Sequence, residues 1–254
     1  MSNTMTEHPD HSAQFPGSSD RFKRAELAEM GRPAHVSCHG VTFPTDMPPL
    51  FPKARNMLAS GTYEEKETQA ALKIVQPGER DGEFGGGLGY LSAVVARNCA
   101  PAQVHTFEAN TALIPCIRRV HSENGLDAIT VHHAILGEAR GSRHFYVRRK
   151  FFESSTSREP TDGIVNVTEV PVLPARQTVA ALTPDVILCD IEGAEVSLLP
   201  LLDLETVRHT MVVLHPKVTG LEGVRRVFDT MHGAGLIYAP RHSSNKVVTF
   251  ARGD

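Results

Sequence analysis

Three carboxylates fall within six residues in Asp190-Ile191-Glu192-Gly193-Ala194-Glu195, directly after the apolar run Val186-Ile187-Leu188-Cys189. Like charges packed so closely repel one another and need donors or a cation, which marks the stretch as a site candidate. Asp190 is expected to face the reacting end of a bound ligand or its acceptor. Glu192 is placed to orient or deprotonate an acceptor hydroxyl. Glu195 reads more simply, as an acidic residue favoured electrostatically at a helix N-terminus. A second candidate base is the imidazole of His215, in His215-Pro216-Lys217, because its ordinary titration lies near neutral pH. Asp190, Glu192 and His215 also have donor types that suit a divalent metal. No further ligand is in view, so the reading taken is catalytic, with no metal.

The other chemistry-bearing stretch is Glu83-Phe84-Gly85-Gly86-Gly87-Leu88-Gly89, followed by the helical-looking run Leu91, Ala93, Val94, Val95 and Ala96. Alternate glycines let the backbone turn tightly and leave no Cβ between the peptide plane and a ligand. The helix behind them presents free N–H groups and its positive dipole end to the same space. A dinucleotide turn would need its third glycine at Tyr90 or Ser92, and a P-loop would end in G-K-[ST]; neither requirement is met. Glu108 lies 19 residues after Gly89, where its carboxylate would accept hydrogen bonds from both ribose hydroxyls of an adenosine. Asn110, two residues on, suits the N-cap of the next helix. Ala134 and Ile135 either line an adenine slot or pack at a strand end.

These residues do chemistry together only if they sit at the carboxyl ends of neighbouring strands. The chain alternates strand and helix patterns in the way that predicts a Rossmann-like, doubly wound, mostly parallel α/β sheet of seven strands. Strands are expected at Gly82–Phe84, Gln103–Phe107, Ile129–His133, Val186–Asp190, Met211–His215, Gly235–Tyr238 and Lys246–Ala251. Helices are expected at Leu88–Asn98, Thr111–Asn124, Ala194–Leu202 and Leu221–His232. Between the third and fourth strands, residues 138–182 form an insertion whose His144–Val147 and Glu169–Leu173 segments look like an antiparallel pair, a natural substrate lid. Residues 1–33 read as a disordered or loosely ordered tail, with Arg21–Met30 a short helix at most, and 34–254 as the working domain. His35–Asp46 suits a hairpin, and Pro44, Pro48, Pro49 and Pro52 predict extended, irregular backbone after it. Thr62, with Glu65 three residues on, predicts a capping box for a helix from Tyr63 to about Val75. One segment breaks the pattern: Asp81 and Gly82 are poor residues for a buried first strand, so that strand is either frayed or gives Asp81 a partner.

Composition narrows the classes further. A formal charge of −3 and a pI near 6.5 offer no polyanion-binding face, so no nucleic-acid partner is expected. Cys38, Cys99, Cys116 and Cys189 form no C-x-x-C pair, which suits free thiols in a reducing compartment. No apolar run reaches the ~20 residues of a membrane span, and the N-terminus lacks a signal-peptide core. A cytoplasmic enzyme with no membrane partner is the expectation, and a homo-oligomer is compatible with it.

Taken together, Gly61-Thr62-Tyr63-Glu64, the glycine turn, Phe107-Glu108-Ala109-Asn110, Ala134-Ile135-Leu136-Gly137, Asp190-Ile191-Glu192-Gly193-Ala194-Glu195 and Leu214-His215-Pro216 resemble the FkbM-type S-adenosylmethionine (SAM) methyltransferases. The resemblance runs from about Gly61 to Ala251, and D-x-E-G-x-E is its most specific part. It implies SAM as the methyl donor and O-methylation of a hydroxyl on a sugar, polyketide or other small metabolite. It also implies cofactor contacts at Tyr63, Glu83, Gly85, Gly87, Gly89, Glu108, Ala109, Asn110, Ala134, Ile135 and Asp190, with Asp190, Glu192 and His215 catalytic. Two positions depart from the family: apolar residues usually stand where this chain has Asp81 and Gly82, and an acidic residue often stands at Val213. The alternatives are a non-catalytic SAM-binding scaffold and an NAD-dependent oxidoreductase.

Overall fold

The computed structural model describes residues 34–149, 154–158 and 162–253. The expected N-terminal tail, its Arg21–Met30 helix and the Phe151-Phe152-Glu153 stretch of the insertion lie outside them.

The central sheet has seven strands: β3 (Arg80–Phe84), β4 (Gln103–Glu108), β5 (Ile129–His133), β9 (Val186–Cys189), β10 (His209–Val213), β11 (Leu236–Tyr238) and β12 (Val247–Arg252). Their spatial order is β11-β12-β10-β9-β3-β4-β5, and only β12 runs against its neighbours. The chain therefore starts in the middle at β3, winds outward through β4 to β5, and returns to β9 on the other side. The crevice of such a sheet opens where that reversal occurs, between the carboxyl ends of β3 and β9.

Side chains alternate across the strands, so each one feeds two cores. Val186, Leu188, Met211 and Val213 join a cluster with helices α2 (Glu65–Ile74), α3 (Tyr90–Cys99) and α4 (Ile114–Glu123). Ile187, Cys189, Val212 and Phe250 join the opposite cluster. That layer holds α5 (Ala175–Leu182), the short α6 (Glu195–Leu198) and α7 (Pro216–Gly233). The all-apolar reading of β9 holds, with all four residues buried.

The insertion is built as expected and slightly further. Strands β7 (Gly141–Arg148) and β8 (Ile164–Pro174) pair antiparallel, with Phe145 opposite Thr168. Strand β6 (Ile135–Gly137) adds to β8 in parallel, and α5 follows. The expected hairpin is β1 (His35–Cys38) with β2 (Val41–Pro44).

Several local expectations fail for identifiable reasons. The proline-rich stretch does not stay irregular: Pro52 opens helix α1 (Pro52–Ser60) from its first turn, where a missing N–H costs nothing. Thr62 caps no helix, since its hydroxyl meets Ser60 at 2.8 Å. Helix α2 starts instead after Glu64, which takes a left-handed conformation at φ 45°. Asn110 is not the cap of α4 either, because that helix begins only after Leu113. Strand β3 is not frayed, pairing with β4 and β9 along its length. Asp81 is 1% exposed within it, and neither carboxyl oxygen has a partner of hydrogen-bond geometry among the described residues. Burial, then the charges of Glu83 and Glu79, push its carboxyl well above the usual range; the adjacent Gly82 amide alone favours the anion.

Candidate active site

The glycine turn after β3 is needed first for packing. A Cβ on Gly85 (φ 94°) would stand 1.9 Å from the Asp190 carbonyl oxygen, and one on Gly86 2.5 Å from Thr106 Oγ1. Those two glycines let β3, β4 and β9 close together at their ends. The Gly85 and Gly86 amides donate to Phe107 O, and Asp190 N–H donates to Phe84 O at 2.9 Å, so the three strand ends are latched. Gly87 (φ 52°) differs: the nearest atom to its absent Cβ is Glu64 Oε1 at 4.0 Å, so this glycine faces open space.

Two amides of the turn and the helix start, and a third at the end of β4, donate to carboxylates. Gly87 N–H donates to Glu108 Oε2 at 2.9 Å, and Asn110 N–H donates to Glu108 Oε1 at 2.6 Å. Ser92 N–H, in the first turn of α3, donates to Glu83 Oε1 at 3.0 Å. The carboxyl group of Glu83 thus takes an amide of this helix N-terminus that an external phosphate would use, and Glu108 takes one from the turn before it. Glu83 is only 2% exposed and acts through the turn, tying β3 to α3. Burial pushes its carboxyl up to about 7 against the opposing contacts with Thr106 and Ser92. Glu108 is buried and raised by burial, with the Asn110, Gly87 and Ala109 amides opposing the rise. Each of its oxygens accepts one amide, which leaves a lone-pair site on each for another donor.

The other cofactor candidates surround this turn unevenly. Tyr63 is buried, with its ring 5.1 Å from Tyr90 in a T-shaped contact. The Tyr90 hydroxyl meets His39 Nδ1 at 2.8 Å and Cys38 Sγ at 3.2 Å, which ties the hairpin to the start of α3. Ala109 and Ile135 pack together on the insertion's small core of Phe145, Val147 and Val170. Ala134 is buried. Asn110 Oδ1 accepts the Ala112 N–H at 3.1 Å, and its buried Nδ2 has no partner among the described residues. Gly89 (φ 75°) fits against Ile117, whose Cα would be 3.0 Å from a Cβ there.

The structure brings Asp190, Glu192 and His215 together. His215 Nε2 lies 3.4 Å from Asp190 Oδ1 and 3.2 Å from Glu192 Oε2. On its other side Nδ1 lies 3.2 Å from Glu195 Oε1, which also accepts the His215 backbone N–H at 3.2 Å. Glu195 Oε2 accepts the Gly193 N–H at 2.7 Å. Glu195 stands in the first turn of α6, as its sequence position suggested, but at 1% exposure it also reaches His215. Its carboxylate contacts the imidazole nitrogen on the side away from Asp190 and Glu192. Glu192 is held in the left-handed region (φ 53°), a conformation that costs about 1–3 kcal/mol and concentrates at functional sites.

Electrostatics sharpen the roles. Burial disfavours a charged His215, but Glu192, Glu195 and the Asp190 charge outweigh it and lift the imidazole to about 10. In this arrangement His215 therefore holds its proton at neutral pH, and proton acceptance falls to the carboxylates. Burial, then Glu192, pushes Asp190 up to about 7, with His215 and Lys246 opposing. Glu64, which was not singled out for a role, faces the same space as Gly87. Its carboxyl stands well above the usual range through burial, then the charges of Asp190, Glu67 and Glu83. The crevice is short of positive charge.

No family model and no curated protein matches this chain, so the FkbM-type resemblance rests on the quoted motifs alone. The solved structures it is similar to match at low identity and low TM-score. M. jannaschii TYW2 in complex with AdoMet is 14% identical, with 88% of this chain and 89% of that one covered and a TM-score of 0.45. Precorrin-6y C5,15-methyltransferase from Geobacter metallireducens GS-15 is 11% identical over 75% and 89% of the two chains, with a TM-score of 0.43. The ribosomal protein L11 methylase of Lactobacillus delbrueckii subsp. bulgaricus is 10% identical over 75% and 77%, also with a TM-score of 0.43.

Proposed function

We propose that this protein is a SAM-dependent methyltransferase that modifies a hydroxyl on a small metabolite. One observation carries the reading: Glu108 accepts the Gly87 amide of the turn and Glu83 the Ser92 amide of α3, while Glu64 borders the open face of Gly87 and feels the charge of Asp190. A pyrophosphate would meet repulsion there, which argues against a nicotinamide dinucleotide. A ligand with a ribose diol and a cationic, ammonium-bearing tail would meet acceptors and opposite charge.

The residues present fit that group. Glu108 has a lone-pair site left on each oxygen for the ribose hydroxyls. Ala109, Ala134 and Ile135 supply apolar walls for the base. Glu64 and Asp190 would pair with the positive tail. When bound, SAM supplies an electrophilic methyl group, so the protein must align the acceptor oxygen, exclude water and remove a proton. Glu192 is the acceptor of that proton, next to Asp190. His215, clamped by Glu195, holds both carboxylates in place and offsets their charge.

Calorimetry with SAM and with NAD tests the cofactor, and Glu108→Ala is expected to weaken SAM binding at least tenfold. Formation of S-adenosylhomocysteine on adding hydroxylated sugars or polyketides tests the reaction. NAD binding tighter than SAM, or SAM binding indifferent to Glu108→Ala, refutes the proposal.

A further inference from the structure

Without a metal, the imidazolium of His215 is the cation among these carboxylates; a divalent ion in its place would displace the Nε2 proton to solvent, and the geometry of the cluster says which kind of ion fits. One donor atom each from Asp190, Glu192 and His215 lies within 4.8 Å of the others. The Nε2–oxygen separations are 3.2 and 3.4 Å. Ligands held about 2.0–2.2 Å from one metal stand roughly 3.0–3.5 Å apart along the edges of an octahedron or tetrahedron. The His215 side chain is 9% exposed, and neither its Nε2 nor Asp190 Oδ1 has a partner of hydrogen-bond geometry among the described residues. Nδ1, by contrast, is engaged by the buried Glu195. That is the arrangement by which a carboxylate fixes a metal-ligating histidine, leaving Nε2 as the coordinating atom.

We infer that Asp190, Glu192 and His215 bind a first-row divalent cation, Mn²⁺ or Zn²⁺ in type, with Glu195 as the positioning residue behind His215. An imidazole with two carboxylates suits these ions better than Mg²⁺ or Ca²⁺, which prefer all-oxygen shells. Three protein ligands leave coordination positions open, as in sites where a metal acts on a substrate. The purpose assigned to the ion rests on the methyltransferase reading: a hydroxyl on an open position would become more acidic and lose its proton to solvent, with Glu192 acting as ligand and not as base once the ion is bound. The site itself does not rest on that reading.

The test is titration of chelator-stripped, full-length protein with Co²⁺, followed by its d–d absorption, and with Mn²⁺, followed by the loss of the free-ion electron paramagnetic resonance signal. One ion per chain is expected. Binding should fall at least tenfold in both His215→Ala and Glu192→Gln, and about 10–100-fold in Glu195→Gln. Circular dichroism melting identifies any variant that does not fold, and the remaining variants then decide the matter. No saturable binding up to millimolar metal, or binding unchanged in the folded variants, overturns the inference. SAM calorimetry on the same samples separates the two ideas. Metal bound without SAM affinity sinks the methyltransferase reading and leaves this site standing; SAM bound with no metal site does the reverse.

Discussion

Substituting Glu83→Gln tests whether the carboxylate beneath the glycine turn is held as an acid. Glu83 is 2% exposed and raised from 4.5 to about 7, chiefly by burial. A carboxyl raised on folding stabilises fully below its unfolded value and loses that contribution as pH climbs through the folded value. Here the window runs from about 4.5 to about 7, where the unfolded chain gives up the proton first. At about 1.36 kcal/mol per pH unit, the loss comes to about 3 kcal/mol by pH 8. The amide of Glu83→Gln keeps an acceptor for the Ser92 N–H and adds a donor towards the Thr106 hydroxyl, so contacts are retained while the ionisation disappears. The variant should match the parent near pH 4.5 and exceed it by about 3 kcal/mol at pH 8. For a domain of this size that is a rise in Tm of about 6–12 °C. Differential scanning calorimetry at pH 4.5, 6 and 8 measures it. A Tm difference that stays constant across the three pH values would show that Glu83 ionises normally, and the account of the turn would be wrong.

Other substitutions probe the remaining contacts. Gly85→Ala places a methyl 1.9 Å from the Asp190 carbonyl in a left-handed conformation, so it should unlatch β3 from β9 and cost more than 3 kcal/mol, read by urea denaturation. Asp81→Val removes a buried carboxyl without a geometric partner from a strand and should raise stability by about 1–3 kcal/mol, seen as a higher urea midpoint. His121 is 5% exposed and lowered to about 4 by burial. An unfolded histidine binds its proton first, so stability should fall as pH drops from about 6.5 towards 4, a slope that His121→Gln flattens in pH-dependent melting. Because Glu64 and Asp190 are raised in the ligand-free crevice, a cationic ligand should bind their ionised forms. SAM affinity should therefore rise with pH through about 7, and calorimetry in buffers of different ionisation enthalpy should show proton release on binding.

Much of the architecture follows from local pattern. Ile129–His133 reads as a strand and is one, because β-branched residues flanked by turn signals specify their own conformation. The apolar run at Val186 predicts the central strand whose end carries Asp190, and a parallel sheet brings such ends together, so Asp190, Glu192 and His215 meet as expected. Glycine spacing likewise announces the turn, since only those residues tolerate its backbone. Tertiary structure decided what each side chain touches. The pairing of Glu195 with His215 spans 20 residues and that of Glu108 with Gly87 spans 21, and no periodicity encodes either. Glu64 enters the crevice because its backbone turns left-handed where a capping box predicted otherwise, and Asp81 is buried because both neighbouring strands pair with its backbone whatever its side chain prefers. Backbone form answers to residue type and near neighbours; protonation and partnership answer to burial, which exists only once distant segments have packed.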